Sequence, residues 1–267
     1  MLISIITINF NDCKGLEMTV NSVSQQNYKG FEHIIIDGGS TDGSKKFIEE
    51  NRDKFSYWVS EKDNGIYHAM NKGIVAAKAE YLLFLNSGDF LFKTNVLETA
   101  ASYLIDGDIL YGDIMMFNEN DETLKRGLNP NELTVYSFFK GTINHPAAFI
   151  KKDLFKQFGL YDETLSIVSD WKFFLEVAGI ARVKVKYIDC VISYFDINGI
   201  SSTNEKIIEF ERKKVLTEII PKGFLEDYKK FERLNKTQNL KLVRLAIKIE
   251  SNMQFKKIKN CFKKLFN

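Results

Sequence analysis

The chain has 267 residues, 45% hydrophobic and 27% charged, which fits a globular protein with a substantial core and excludes a disordered or fibrous one. No apolar stretch approaches the ~20 residues that cross a bilayer as a helix, and the start MLISIITINF lacks the basic leader and cleavage site of a signal peptide. The net charge of +2 conceals an asymmetry: residues 236–267 carry nine Lys and Arg against one acid, Glu250, leaving 28 basic and 34 acidic side chains elsewhere.

The first half alternates two hydrophobic periods. Ile3–Ile8 is a β-branched run that reads as a strand, and Gly15–Gln26 has helical spacing at Leu16, Val20 and Val23. Phe31–Asp37 is a second strand, followed by a helix to Asn51 capped by Thr41 or Asp42. Tyr57–Ser60, Tyr81–Leu85 and Ile109–Tyr111 read as strands, and Ile66–Lys78 and Thr94–Leu104 as helices. Such alternation predicts an α/β fold with a mostly parallel sheet between helices. Right-handed crossovers then gather the turns after Ile8, Ile36, Val59 and Leu85 into one cleft. The second half is less regular. Strands are expected near Thr123–Gly127, Ala147–Ile150, Val183–Ile188 and Val191–Tyr194, the last two as a pair, with helices at Ser169–Val177 and Ile207–Ile219. The expected division is a catalytic domain over 1–220, with halves 1–115 and 116–220, and a helical basic tail over 221–267. Cys13, Cys190 and Cys261 share no metal-like spacing and are expected to be free thiols in a reducing cytoplasm.

Two turns carry chemistry. After the strand that ends at Leu85, the residues Asn86, Ser87, Gly88 and Asp89 put small polar groups and one carboxylate at the sheet edge where open α/β folds bind ligands. A carboxylate there can hold a divalent cation against a diphosphate. The loop Asp37-Gly38-Gly39-Ser40-Thr41-Asp42-Gly43-Ser44 lets backbone approach a ligand closely ahead of a helix N-terminus. It is not a P-loop, and no GxGxxG follows the first strand, which argues against a dinucleotide-binding protein.

Five blocks in order, ISIITINFN (3–11), EHIIIDGGSTDGS (32–44), SEKDNGIYHAMNKGI (60–74), AEYLLFLNSGD (79–89) and HPAAFIKKDLFKQFGLYDE with SDWKFFLE (145–176), resemble the inverting glycosyltransferases of family 2, with the GT-A fold. The chain is similar in particular to bacterial members that build capsular, O-antigen or exopolysaccharide repeats. The resemblance covers residues 2–200 and implies roles. Thr7, Asn9, Asp37, Gly38 and Ser40 would line the nucleotide pocket, with Asp37 on the base. Asp63 and Gly65 would continue it, Asn71 and Lys72 would approach the base or ribose, and Ser87 would lie beside them. Asp89 would hold Mg²⁺ or Mn²⁺, although Gly88 stands where many members carry another acid. Asp170 would be the general base. His145 would lie near the acceptor or diphosphate, Trp171 would stack on an acceptor sugar or belong to the core, and Gly199 and Ser201 would contact diphosphate. The donor implied is a nucleotide diphosphate sugar, a UDP-sugar favoured, and the acceptor a carbohydrate, in particular a lipid-linked one.

The tail has apolar residues at Leu242, Leu245, Ile249, Met253, Ile258, Phe262 and Leu265 opposite a lysine-rich face. That pattern suits the anionic inner face of the cytoplasmic membrane. Docking on the catalytic domain or on a second subunit, as a homodimer, is the alternative. Nucleic acid is not expected, because no recognised module or aromatic–basic interleaving accompanies the charge. Two rival readings stand beside transfer: an inactive nucleotide-sugar-binding scaffold, favoured by Gly88, and a sugar-phosphate nucleotidyltransferase. The latter is disfavoured because Asn9–Lys14 has one lysine and no glycine.

Overall fold

The computed structural model describes residues 1–118, 121–197, 204–238 and 248. β1 (Ile3–Asn9), β2 (Phe31–Asp37), β3 (Tyr57–Ser60) and β4 (Tyr81–Phe84) pair in parallel in the order β3-β2-β1-β4. Every residue of β1 is buried, as its β-branched run requires of a strand covered on both faces. The crossovers are α1 (Cys13–Ser24), α2 (Ser44–Glu50) and α3 (Ile66–Ala76). α2 starts later than expected, because Asp42 turns back to accept from the Ser44 N–H (3.1 Å) and hydroxyl (2.6 Å).

Beyond β4 the sheet becomes mixed. β5 (Phe90–Leu91), α4 (Val96–Ala101), β6 (Ile109–Phe117), β7 (Glu122–Lys125), α5 (Val135–Lys140) and β8 (Ala148–Lys151) are followed by α6 (Lys152–Phe158), α7 (Ser169–Phe174) and β9 (Val185–Asp196). The strand order is β3-β2-β1-β4-β8-β6-β9-β5, with β7 on β6. The expected strand pair at 183–194 is one strand: β9 stays parallel to β6 from Val185 to Asp196 through register shifts around Asp113. α7 runs on into a wider π-type turn, Leu175–Ile180.

The chain passes straight from β4 to β5, although three strands separate them in the sheet. Four inter-strand steps span about 19 Å in a flat sheet. The connecting residues are not extended, since Asp89 N–H closes a turn on Asn86 O at 2.9 Å. The sheet therefore curls, and its two halves meet beside residues 86–89.

The chain divides into compact units at Met1–Arg212 and Lys213–Asn267. The boundary falls within α8 (Glu205–Ile219), and α9 (Lys222–Gln238) follows. Residues 239–267, apart from Lys248, lie outside the described residues, and so does most of the amphipathic pattern expected of the tail. Among the described residues no helix is long and apolar enough to cross a membrane. Cys13 and Cys190 are free thiols, and Cys261 lies outside the described residues.

α3 is held against β1 through Gly73, where an added Cβ would meet Ile6 Cγ2 at 2.3 Å. Ile6 is fully buried and cannot move aside. Gly73→Ala should therefore destabilise the protein by about 1–3 kcal/mol despite alanine's better helix propensity. Urea denaturation checks this, with the exposed Val75→Ala on the same helix as a control that should be close to neutral.

Candidate active site

Parallel register sets Asn9 opposite Asp37, and Asp37 opposite Ser60, at the C-terminal ends of β1, β2 and β3. The Asp37 carboxylate, fully buried, accepts from Asn9 Nδ2 (2.7 Å), Ser40 Oγ (2.5 Å), Ser40 N–H (3.0 Å) and Ser60 Oγ (2.6 Å). Burial pushes its pKa up, but the donors from Ser40, Ser60 and Asn9 outweigh that and hold it below the ordinary carboxylate value. Four donors fill its acceptor sites. In this arrangement Asp37 organises the loop and does not present a free oxygen to a base.

Gly38 lies in a narrow gap, since a Cβ there would come within 2.6 Å of Asp63 Oδ2 and 3.1 Å of the Phe10 ring. Asp63 Oδ1 accepts from the Gly65 N–H at 3.0 Å, and Gly65 adopts φ +114°, which only glycine takes without strain. Asn9, Asp37, Gly38, Ser40, Asp63 and Gly65 thus come together on one edge. Three expected contacts are engaged elsewhere. Thr7 is buried against His33 Nε2 (2.9 Å), two residues before Asn9 on β1 and so below that edge. Asn71 uses its amide on Tyr161 O (2.9 Å), Tyr161 N–H (3.0 Å) and Glu163 Oε1 (2.8 Å), so it clamps α3 to the loop before α7 and does not reach towards a ribose. Lys72 pairs with Glu61 at 2.7 Å.

The second cluster surrounds residues 86–89, which are pinned to β1 by the Ser87 N–H on Ile8 O (3.0 Å). Asp89 is 3% exposed, and its Oδ1 receives the Asp196 N–H at 3.3 Å. Three buried oxygens at the ends of β1 and β4 have no hydrogen-bond partner: Asn9 Oδ1, Asn86 Oδ1 and Asp89 Oδ2. Orphaned buried acceptors are costly and point to a ligand that supplies the missing donors or positive charge. Burial pushes Asp89 up to about 7. The Asp196 charge adds to this, while His145 and the backbone N–H groups of Asp196 and Asn86 oppose it.

β8 runs antiparallel to β4, so its start lies at the C-terminal end of β4, and the turn His145–Ala147 leads into it. His145 Nε2 is 3.3 Å from Asn86 Nδ2, and its Nδ1 is 3.3 Å from Asp170 Oδ2. An amide N–H facing Nε2 makes that nitrogen the acceptor, so Nδ1–H donates to Asp170. The other Asp170 oxygen accepts from Tyr67 Oη at 2.9 Å. Burial would raise the Asp170 pKa, but His145, Tyr67 and the Trp171 N–H reverse this and keep it below its ordinary value. Glu211 fixes the approach to α7 by accepting from the N–H groups of Ser166 (2.6 Å), Ile167 (3.0 Å) and Val168 (3.3 Å). Trp171 is a core residue: it is 2% exposed, and its indole N–H donates to Phe138 O at 2.8 Å, so it is not available to stack on a sugar. Gly199 and Ser201 lie outside the described residues. A cavity of about 390 Å³ between α1 and β5, lined by Met18, Gln25, Phe90 and Lys93, contains neither Asp89 nor Asp170.

Tyr67 and Asp196 belong to this cluster although no motif in the sequence singles either of them out. Tyr67 sits at an apolar helical position, where an aromatic residue reads as core. Asp196 reaches the turn only through the pairing of β5 with β9.

The sequence profile described as Glycosyl transferase family 2 matches residues 4–166. A Mycobacterium tuberculosis protein described as an uncharacterized glycosyltransferase is 36% identical over 207 residues, which is 76% of this chain and 78% of that one. A PGL/p-HBAD biosynthesis glycosyltransferase of Mycobacterium bovis is 28% identical over 214 residues, covering 76% of this chain and 80% of its own. Among solved structures, S. aureus TarS 1-349 in complex with UDP-GlcNAc superposes with a TM-score of 0.64 at 18% identity, over 85% of this chain and 70% of TarS. The mannosyltransferase PcManGT from Pyrobaculum calidifontis, in complex with GDP-Man and Mn²⁺, gives 0.56 at 16% identity over 72% and 56%. These structural likenesses show the GT-A fold.

An acid titrating at about 7 when folded and ~3.9 when unfolded makes the native state bind the extra proton between those values. Its contribution to stability therefore falls as pH rises through that window. Without metal, Asp89→Asn should gain on wild type between pH 5 and 8, by an amount on the order of 2–4 kcal/mol. Urea unfolding at each pH measures this, and a pH-independent difference would contradict it.

Proposed function

The chain belongs to glycosyltransferase family 2, and on that premise we propose that it transfers a sugar, with inversion, from a nucleotide diphosphate donor to a hydroxyl of a carbohydrate acceptor. The observation that carries this reading is the tether between two acids: one imidazole, His145, joins Asp170 to Asn86 of the turn that bears Asp89. Inversion in one displacement needs one base at the acceptor hydroxyl and one site that holds the leaving diphosphate.

Asp170 is the base. Its oxygens are oriented by Tyr67 and His145, and its depressed pKa keeps it ionised at neutral pH. It takes the acceptor's proton as the new C–O bond forms and the bond to the diphosphate oxygen breaks. The nucleoside lies along the edge built by Asn9, Gly38, Ser40 and Asp63, with Asp37 holding that edge in shape. The orphaned Oδ2 of Asp89, at the sheet edge that also carries the unpartnered amide oxygens of Asn86 and Asn9, fits a hard cation that prefers oxygen ligands. Asp89 would hold Mg²⁺ or Mn²⁺ there, and the ion would supply positive charge against the departing diphosphate. The UDP-GlcNAc complex of TarS supports a UDP-sugar as donor. A lipid-linked acceptor in surface glycan synthesis is the finer reading, and the relative described as a PGL/p-HBAD biosynthesis glycosyltransferase supports a biosynthetic role. The basic tail supports attachment to the anionic inner face of the cytoplasmic membrane.

Asp170→Asn should lower the turnover of a UDP-sugar by ~10²–10⁴-fold while leaving UDP affinity in calorimetry unchanged within about twofold. An active variant would remove Asp170 from the chemistry. Tyr67→Phe withdraws a donor that lowers the Asp170 pKa, so the acidic limb of kcat/KM against pH should move to higher pH.

A further inference from the structure

Two basic side chains stand near Asp170 without an acid to pair with. The first is Arg212 of α8, which follows Glu211, the clamp on the loop before α7. Its guanidinium carbon lies 5.0 Å from the centroid of the Trp171 ring, and Trp171 adjoins Asp170 in the chain. The Arg212 Nε is buried and has no hydrogen-bond partner. Burial lowers the Arg212 pKa, and the charge that opposes this is that of Asp170. The charges that act on Asp89 are instead those of His145 and Asp196. Arg212 therefore belongs to the Asp170 side of the site and not to the turn at 86–89.

Lys125 is the second. It ends β7, opposite Ile114 of β6. Successive residues of a strand face opposite ways, and the next residue, Arg126, turns to Asp113 (2.9 Å) and Asp189. Lys125 faces the other way, where burial and the charge of Arg212 lower its pKa. Lys172 of α7 also finds an acid, Asp162, at 2.7 Å. Among the described residues no carboxylate forms a salt bridge with Lys125 or Arg212. Two half-buried cations that repel each other gain from an anion placed between them.

We propose that Arg212 and Lys125 form an anion subsite on the acceptor side of Asp170, and that it takes a phosphate carried by the acceptor sugar. The planar fork of an arginine matches phosphate oxygens, and the lysine adds a point charge. The Trp171 ring, itself in the core, anchors the guanidinium. A phosphate at this point supplies the acceptor that Nε lacks. Held there, a group that does not react positions the sugar hydroxyl at Asp170. That the phosphate belongs to an acceptor rests on the glycosyl-transfer reading; the cation pair does not.

The test is calorimetry on the full chain with UDP saturating, so that the donor site is filled, and with glucose 1-phosphate, inorganic phosphate and glucose as probes. Glucose 1-phosphate should bind, and glucose and inorganic phosphate more weakly by ~10-fold or more. Arg212→Gln and Lys125→Gln should each weaken glucose 1-phosphate by ~10–100-fold and leave UDP affinity unchanged. Arg126→Gln, which removes a cation already paired, should bind it as wild type does. If Arg212→Gln does not fold by circular dichroism, Lys125→Gln carries the test. Unchanged glucose 1-phosphate affinity in the folded variants would overturn the proposal. Loss of UDP affinity in them would do the same by assigning the cations to the donor's diphosphate, and so would inorganic phosphate binding as tightly as glucose 1-phosphate. A chain that binds glucose 1-phosphate through both cations but turns over no nucleotide sugar would sink the glycosyl-transfer reading and leave the anion subsite standing.

Discussion

A carboxylate buried with one bare oxygen is the constraint around which this molecule is arranged. Asp89 could be made comfortable by a nearby lysine or by two backbone donors. Instead it receives a long N–H contact from Asp196 and sits beside that residue's own negative charge. Such a group raises the free energy of the folded chain at neutral pH. Strain of this kind persists only where the surrounding structure over-determines it. Here the over-determination is topological, because the residues between β4 and β5 must close a tight turn while the sheet curls to bring β9 alongside.

Asp170, the proposed base, is built by the opposite policy. Asp170 is as enclosed as its neighbours allow, yet it is supplied with Tyr67, His145 and a helix N–H, and its pKa falls. The two acids, one pushed up and one held down, differ by their donors and not by residue type. Environments that drive paired carboxylates apart in this way are a mark of acids with separate tasks. His145 connects them, and its placement follows from β8 entering the sheet antiparallel beside β4.

Much of the first half was legible in the sequence because β-branched runs and helical spacing alternate there without ambiguity. β2 and β3 match the expected residues, and the parallel register then put Asn9, Asp37 and Ser60 in one row. What the sequence does not display is which donors a polar side chain will use. Asp37 and Asn71 were expected at the nucleotide, but both are saturated by the protein, since a buried polar group takes the nearest partners and these lie within the fold. β5 was invisible because two residues carry no periodicity. β9 was read as a pair because its bulge interrupts the alternation near Asp189 and Cys190.

The same contrast explains why Asp89 and Asp170 come from different halves of the chain. Parallel strands gather their C-terminal turns at one edge, and that edge suits a nucleotide, which needs loops and backbone donors in a row. A base, the role proposed for Asp170, must instead approach from outside that row, facing the reacting carbon from the acceptor side. α7 supplies it from a part of the chain where the sheet is no longer parallel, and Glu211 locks the preceding loop through three consecutive N–H groups. The carboxylate is thus positioned by a rigid clamp on its own backbone, while its protonation is governed by side chains from α3 and from the turn before β8. Position and charge state are set by separate contacts, so each can be perturbed without destroying the other.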